Sequence, residues 1–295
     1  MRAYVLHGID DLRLEETALP EIKEREVLVK VMAAGICGSD IPRIYKTGTY
    51  SYPLIPGHEF SGTVIETGLK ADKKWMGKRV GIFPLIPCGE CESCRKKQYE
   101  MCRHYSYLGS RTNGGFAEYA AVPEENLIEL PEEVSYEVAA MLEPMAVAVH
   151  AMRKSGVMKE NTVVVYGLGT IGLLLCMFLL DAGVRDIYVI GNTAPGGTVQ
   201  MVGNPASDIM LKKEIYWKIL RNQLTIKGSW NSSFLQNEKD DWHYVLDRLG
   251  RQTIHPEQFI TQKFELEHLK EGLEIMRDKR EEYVKVMMVQ KEAGM

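Results

Sequence analysis

The sequence has no hydrophobic run long enough to cross a bilayer, because its longest apolar stretch, residues 171–180, falls short of the roughly 20 residues that a membrane-spanning helix needs. It also has no large excess of charge of one sign, since 36 basic and 40 acidic residues give a net charge of −4. This balance disfavours a nucleic-acid or membrane-surface partner. The start lacks a charged-then-apolar signal pattern, since Arg2 leads into residues typical of a strand. We therefore expect a cytoplasmic protein.

Cysteine is scarce, with six residues in the chain, but four of the six fall within residues 88–102. In a reducing compartment this crowding indicates a metal site rather than disulfides. Four free or redox-active cysteines are the alternative. Four thiolates close a tetrahedral shell around Zn²⁺ and leave no position for a substrate, which is typical of a structural ion. The expected ligands of this structural zinc are Cys88, Cys91, Cys94 and Cys102.

A second metal site is predicted from Cys37 and His58. A thiolate and an imidazole about twenty residues apart suit a Zn²⁺ ion that keeps one coordination position open. Glu59 follows the histidine directly. Glu143 lies in a helical apolar pattern over residues 136–153, where a carboxylate must be paired or bound. A metal role for Glu143 is one interpretation, and a salt-bridged helix acid is the other.

A dinucleotide site is predicted where a continuous apolar strand, residues 163–166, runs into a G-x-G-x-x-G motif and then a helix to Ala182. Such glycines let the backbone approach a pyrophosphate at a helix N-terminus. The residues expected to bind the cofactor are Gly167, Gly169, Thr170, Ile171 and Gly172. The next strand ends in Gly191 and Asn192, without the Asp or Glu that typically hydrogen-bonds the ribose 2′-hydroxyl of NAD. We therefore expect NAD as the cofactor and leave NADP open.

The chain is too short between its second and third predicted parallel strands, residues 187–190 and 198–203. Parallel strands need a crossover of about a dozen residues or more. Either these two strands form a hairpin, or a block of the nucleotide-binding domain is absent. We favour the absent block and expect a break near Asn192 and Thr193, with Cα atoms much farther apart than about 3.8 Å. Either the protein itself lacks this block, or the protein contains the block and the sequence omits it.

Two arginines are candidate substrate ligands, Arg43 and Arg111. The planar fork of a guanidinium suits a phosphate or a carboxylate. Arg111 lies in a glycine-rich turn, residues 109–119, and a solvated loop arginine is the favoured interpretation from that residue alone.

The apolar patterns predict an antiparallel, barrel-like first domain followed by alternating strands and helices. Strands are expected within residues 1–35, 60–68, 78–83, 224–227 and 284–289, and helices over residues 216–221, 239–249 and 264–276. The motifs above, with Pro56-Gly57-His58-Glu59, Gly114-Gly115-Phe116 and Gly228-Ser229-Trp230, make the chain resemble the zinc-dependent medium-chain dehydrogenase/reductase family, and within it the polyol and polyol-phosphate dehydrogenases.

This resemblance implies an α/β fold with a β-rich part, in which a GroES-like catalytic domain is joined to a Rossmann domain with a doubly wound parallel sheet. The implied divisions are a catalytic domain over residues 1–150 with the zinc lobe at 85–105, the Rossmann domain over 151–255, and a return to the catalytic domain over 256–295. The resemblance also implies two zinc ions per chain, with Cys37, His58, Glu59 and Glu143 around the catalytic ion, directly or through water.

The implied activity is hydride transfer from a secondary alcohol of a polyol phosphate, such as galactitol 1-phosphate, to NAD or NADP. Many relatives carry a proton-relay histidine where this chain has Pro42, so Ser39 is expected to pass the proton outward. Glu143 is expected at the substrate as well. A free-polyol or threonine-type dehydrogenase is the alternative within the class, and a non-catalytic zinc- and dinucleotide-binding protein is the alternative outside it. Relatives of this kind form homodimers or homotetramers.

Overall fold

The computed structural model describes residues 1–189, 197–203, 208–237 and 239–290. The break expected near residues 192 and 193 lies outside the described residues. Across these ranges, none of the helices has the length and apolar character needed to pass through a lipid bilayer.

The N-terminal part of the chain folds mainly into strands, as the alternating pattern predicts. The strands are β1 (Arg2–Gly8), β2 (Asp11–Glu16), β3 (Glu26–Gly35), β4 (Glu59–Thr67), β5 (Arg79–Ile82), β6 (Leu85–Ile86), β7 (Ser106–Tyr107), β8 (Tyr119–Pro123) and β9 (Leu127–Glu129). Two short helices, α1 (Asp40–Pro42) and α2 (Glu92–Arg95), lie between strands.

Strand β3 is central to this part because it pairs antiparallel with both β4 and β8. Val27, Val29 and Val31 point into one hydrophobic core, as the alternation predicts, and all three are fully buried. A register shift between Val31 and Ala33 interrupts the alternation, and Ala33 belongs to a second core formed with the helices. Strand β3 therefore separates two cores, and this explains why almost none of its residues is exposed.

The helix predicted over residues 136–153 is two helices, α3 (Tyr136–Ala140) and α4 (Leu142–Ser155). The helices meet at Met141, which ends the first and precedes the second. Pro144 explains the division, because proline lacks an N–H and its ring clashes with the carbonyl four residues earlier, whereas the first turn of a new helix tolerates it. The restart places Glu143 in the first turn of α4.

Residues 163–228 form two βαβ units within the described ranges. Their elements are β10 (Val163–Val165), α5 (Thr170–Asp181), β11 (Ile187–Val189), β12 (Thr198–Met201), α6 (Lys213–Arg221) and β13 (Thr225–Gly228). Strand β10 pairs in parallel with β11, and β12 pairs in parallel with β13. Within the described ranges β11 does not pair with β12.

The C-terminal part contains α7 (Asp241–Gly250), β14 (Ile260–Phe264), α8 (Leu269–Asp278) and β15 (Lys285–Val289). The helix predicted over residues 264–276 was wrong at its start, because Phe264 ends β14 in the ladder with β15 and a 3₁₀ turn precedes α8. Strand β15 pairs antiparallel with β3. The last segment of the chain thereby returns to the sheet that contains β3 and β4.

Candidate active site

The sulfur atoms of four cysteines within residues 85–105 lie close together, namely those of Cys88, Cys91, Cys94 and Cys102. The Sγ–Sγ distances are 3.5 Å for Cys91–Cys94 and Cys88–Cys102, and 3.9 Å for Cys88–Cys94 and Cys91–Cys102. Sulfurs placed tetrahedrally about 2.3 Å from Zn²⁺ are separated by about 3.8 Å. None of the four forms a disulfide. The arrangement fits a tetrahedral zinc ion.

The protonation of these thiols differs across the lobe. Hydrogen bonds from the backbone N–H groups of Cys94 and Arg103 lower the pKa of Cys91 to about 6, whereas burial raises the pKa of Cys94 to about 12. The protein alone therefore favours a thiolate at one position and opposes it at another. A divalent cation supplies the charge that allows all four sulfurs to bind as thiolates.

A second group of ligand atoms comes together from Cys37, His58 and Glu59, all within 4.8 Å of one another. Cys37 follows the end of β3, and Glu59 begins β4. The ladder between these strands pairs Gly35 with Glu59, so the two ends that carry the ligands lie side by side. His58 and Glu59 are 4% and 2% exposed, whereas Cys37 is half-buried. One thiol, one imidazole and one carboxylate next to an accessible side are a ligand set that suits Zn²⁺ with an open position.

Asp40 lies against this group, a position that the sequence did not indicate. Its Oδ2 accepts a hydrogen bond from the Cys37 N–H at 3.0 Å, and its Oδ1 lies 3.4 Å from His58 Nδ1. Burial alone lowers the pKa of His58, but Asp40 and the Cys37 thiolate outweigh burial and raise it well above its ordinary value. A carboxylate on one ring nitrogen is the usual partner of a histidine that binds metal through the other.

Ser39 lies beside the thiol, where its Oγ donates a hydrogen bond to Cys37 Sγ at 3.3 Å. The hydroxyl is therefore in contact with a candidate ligand. Its role in proton transfer stays a prediction.

Glu143 is not one of the three residues grouped within ligand distance. It accepts a hydrogen bond from the Tyr107 hydroxyl at 3.2 Å, and the Tyr107 ring lies 5.7 Å from that of His58. Burial, aided by the charge of Glu59, raises the pKa of Glu143 to about 7 against the opposing effects of His58, Lys285 and Tyr107. The structure thus brings Glu143 next to the group, through a tyrosine that sequence reasoning missed.

Lys285, also missed, is buried against Glu59 and donates a hydrogen bond to its Oε2. Burial alone lowers the pKa of Lys285, but the surrounding anions, Glu59 first among them, outweigh burial and raise it. The signal was present, because a lysine inside the apolar residues 284–289 needs a buried partner.

The two candidate arginines have different surroundings. Arg43 donates a hydrogen bond to Asp40 Oδ1 at 2.7 Å, and this is the oxygen that lies near His58 Nδ1. The guanidinium of Arg111 lies 4.1 Å from the ring centroid of Tyr50 and 4.6 Å from that of Tyr105. In the described part of the chain no side chain forms an ion pair with Arg111.

The glycine-rich loop between β10 and α5 leaves room for a ligand. Gly167 has φ +95°, and a Cβ atom at Gly167 or Gly169 would meet nothing within 4 Å. A Cβ at Gly172 would overlap the Gly167 carbonyl, so the third glycine allows the close turn. Thr170 Oγ1 donates to the Val284 carbonyl at 2.6 Å, while Ile171 lies in the first turn of α5. The open loop before a helix N-terminus fits a pyrophosphate.

The chain is similar in sequence to known dehydrogenases. Residues 23–132 match the family model of the alcohol dehydrogenase GroES-like domain. The chain is 31% identical over 276 residues to galactitol 1-phosphate 5-dehydrogenase of Escherichia coli K12, with 74% of this chain and 80% of that protein covered. It is 41% identical over 225 residues to D-arabitol-phosphate dehydrogenase of Enterococcus avium, covering 74% of this chain and 63% of that protein.

Among solved structures, the chain is similar to galactitol-1-phosphate dehydrogenase from Escherichia coli. The TM-score is 0.89 at 28% identity, with 98% of this chain and 100% of that chain covered. The sequence alignment with the Escherichia coli enzyme spans 276 residues, more than 74% of a 295-residue chain can supply. The alignment therefore passes over a gap in this chain.

Proposed function

Because the chain belongs to the zinc-dependent medium-chain dehydrogenase/reductase family, we propose that it oxidises a secondary alcohol of a polyol phosphate with NAD or NADP as hydride acceptor. The observation that carries the proposal is the convergence of Cys37, His58 and Glu59 within 4.8 Å of one another, with the Cys37 thiol only half-buried. The two curated relatives described above are named for galactitol 1-phosphate and D-arabitol phosphate.

Cys37 and His58 would hold the catalytic zinc with the Glu59 carboxylate beside them, and Cys88, Cys91, Cys94 and Cys102 would hold a second, structural ion. A catalytic Zn²⁺ supplies Lewis acidity that lowers the pKa of a substrate alcohol. A bound nicotinamide supplies the hydride acceptor. The protein's contribution is to hold the ligands near one carboxylate: Asp40 lies 3.4 Å from His58 Nδ1 and accepts a hydrogen bond from the Cys37 N–H.

Two side chains next to the ligands are suited to handle protons and substrate hydroxyls. Ser39 bears a hydroxyl 3.3 Å from the Cys37 sulfur and would pass the substrate proton outward, because Pro42 has neither an N–H nor a polar side chain. Glu143, whose pKa is raised to about 7, would accept a hydrogen bond from a substrate hydroxyl or bind the metal through water.

The phosphate is assigned to Arg111 rather than to Arg43. Arg111 offers a guanidinium packed on two tyrosine rings, which fixes its orientation without neutralising its charge. The backbone N–H of Arg111 also donates to the carbonyl of Tyr107 at 2.9 Å, and the Tyr107 hydroxyl donates to Glu143 Oε1. One turn therefore links the candidate phosphate ligand to the metal site. Arg43 is engaged by Asp40 and would act on the ligands through that carboxylate.

The test is a comparison of kcat/KM for galactitol 1-phosphate and galactitol, each with NAD and with NADP. The proposal predicts that the phosphorylated polyol is oxidised far more efficiently. Equal values would favour the free-polyol alternative. Binding of zinc and dinucleotide without turnover of any secondary alcohol, threonine included, would favour the non-catalytic alternative. The homodimer or homotetramer and the cytoplasmic location stay predictions.

A further inference from the structure

Lys285 has an unusual position for a lysine, since its side chain is 2% exposed and lies at the start of β15. Lysine is almost never fully buried unless it is paired. Its partner is the carboxylate of Glu59, which is equally buried and is one of the three candidate metal ligands. The ion pair therefore lies at the metal site itself.

The ammonium group contacts both chain segments that supply ligands. Nζ donates to Glu59 Oε2 at the start of β4, and to the carbonyl oxygen of Ile36 at 3.1 Å, one residue before Cys37. Gly35 leaves space for the contact between Lys285 and Glu59, because a Cβ atom at this position would lie 2.7 Å from Lys285 Cε and overlap Glu59 Oε2. A residue with any side chain at position 35 would push the lysine and the carboxylate apart.

The Lys285 ammonium group and a metal cation at this site would both attract the Glu59 carboxylate. We propose that Lys285 is a positioning residue that holds the Glu59 carboxylate back from the catalytic metal, so that one coordination position remains available to the substrate alcohol. Without Lys285, Glu59 binds the metal permanently and the alcohol has to displace it. This inference rests on the proposed metal site.

The direct test is the visible spectrum of the protein loaded with Co²⁺, whose absorption depends on coordination number and geometry. The spectrum of a Cys37→Ser variant is subtracted, which removes the contribution of the cysteine lobe. We expect Lys285→Met to change the difference spectrum before any alcohol is added, and to lower kcat/KM at least tenfold. Lys263→Met is the matched control, because Lys263 lies on neighbouring β14 but pairs with Glu137 at the surface, and its spectrum should equal that of the wild type.

A double-mutant comparison separates positioning from a merely structural role. If Lys285 acts through Glu59, then Lys285→Met added to Glu59→Gln causes no further spectral change. Retention of the metal bound by Cys88, Cys91, Cys94 and Cys102 shows that the variant is folded. If Lys285→Met loses that metal, Lys285→Gln is measured in its place. An unchanged spectrum in the single variant, or an equal change in both backgrounds, would overturn the inference. Binding of Co²⁺ only in the lobe of the wild type would overturn the proposed function, and the role of Lys285 with it.

Discussion

Gly35 of β3 is paired with Glu59 of β4 in the antiparallel ladder that joins these strands. Cys37 comes two residues after Gly35, and His58 comes one residue before Glu59. Because neighbouring strand ends lie side by side, this register brings a thiol and an imidazole together from segments that are distant in the chain. A slip by one residue would turn the side chains of β4 to the opposite faces of the sheet. The candidate metal site thus depends on the register of the sheet.

Replacing Arg111 tests the assignment of the phosphate. We expect Arg111→Gln to raise KM for a polyol phosphate by about tenfold or more, since a charge-assisted contact contributes about 1.5–3 kcal/mol. The KM for the free polyol should hardly change. Steady-state kinetics with both substrates measures this, and Arg13→Gln is the control because that exposed arginine pairs with Asp11. Equal effects of Arg111→Gln on both substrates would contradict the assignment.

The affinity of the catalytic site for zinc should depend on pH. The raised pKa of His58 means that the metal-free imidazole keeps its proton to a higher pH than an ordinary histidine, and the metal must displace that proton. Lower pH favours the proton, so the apparent affinity should fall by about tenfold per pH unit for each proton released. Chelator competition between about pH 6 and 8 measures it. Asp40→Asn, which removes a cause of the raised pKa, should weaken the dependence. An affinity that does not change with pH would count against this site.

Asp241 should stabilise the junction of α4 and α7. Its carboxylate binds His150 Nδ1 and Arg153 Nη1, each at 2.7 Å, and accepts hydrogen bonds from Ser233. Removing one partner from a buried ion pair costs about 3–5 kcal/mol. We expect Asp241→Asn to lower the free energy of unfolding at pH 7 by about 3 kcal/mol. The control Asp247→Asn changes a more exposed carboxylate and should cost less than about 0.5 kcal/mol.

The stabilisation by the Asp241 carboxylate should decrease at low pH. Burial alone raises the pKa of Asp241, but the hydrogen bonds from His150 and Ser233 outweigh it and lower the pKa. The stabilisation is therefore fully present above the ordinary carboxyl range and is lost as the pH falls through the lowered pKa. The difference between wild type and Asp241→Asn, measured by denaturant unfolding, should shrink in acid. A difference that grows as the pH falls would contradict the account.

The sequence predicts that a block is absent near Asn192 and Thr193, and the alignment with the Escherichia coli enzyme is longer than the part of this chain that it covers. A protein that lacks the block has an intact mass of 33.4 kDa, whereas one that contains it is several kilodaltons heavier. Mass spectrometry of the intact protein distinguishes the two. We expect a chain of the lower mass to bind NAD weakly, because the absent block would carry much of the adenosine pocket. Tight NAD binding by a 33.4 kDa chain would refute that expectation.

The sequence predicted those parts of the molecule that depend on local chemistry. The spacing of Cys88, Cys91, Cys94 and Cys102 identified a cluster that the structure brings together, because closely spaced ligands need only a tight turn to converge. The alternation in β3 and the glycines before α5 likewise depend on neighbouring residues. The division of the helix at Met141 was missed because Pro144 was not treated as the start of a new helix.

The parts that the sequence did not predict depend on long-range packing. Lys285 reaches Glu59 only because β15 pairs with β3, and β3 pairs with β4. Asp40 faces both Cys37 and His58, and nothing in the spacing of these residues shows the direction of its side chain. Such contacts follow from sheet order and register, which periodicity alone does not specify.

The most direct test is the zinc content of the purified protein beside that of Cys37→Ser, measured by elemental analysis together with dehydrogenase activity. The account predicts two zinc ions per chain in the wild type, one in the variant, and loss of activity with the ion that is lost. A variant that retained both ions and full activity would contradict it.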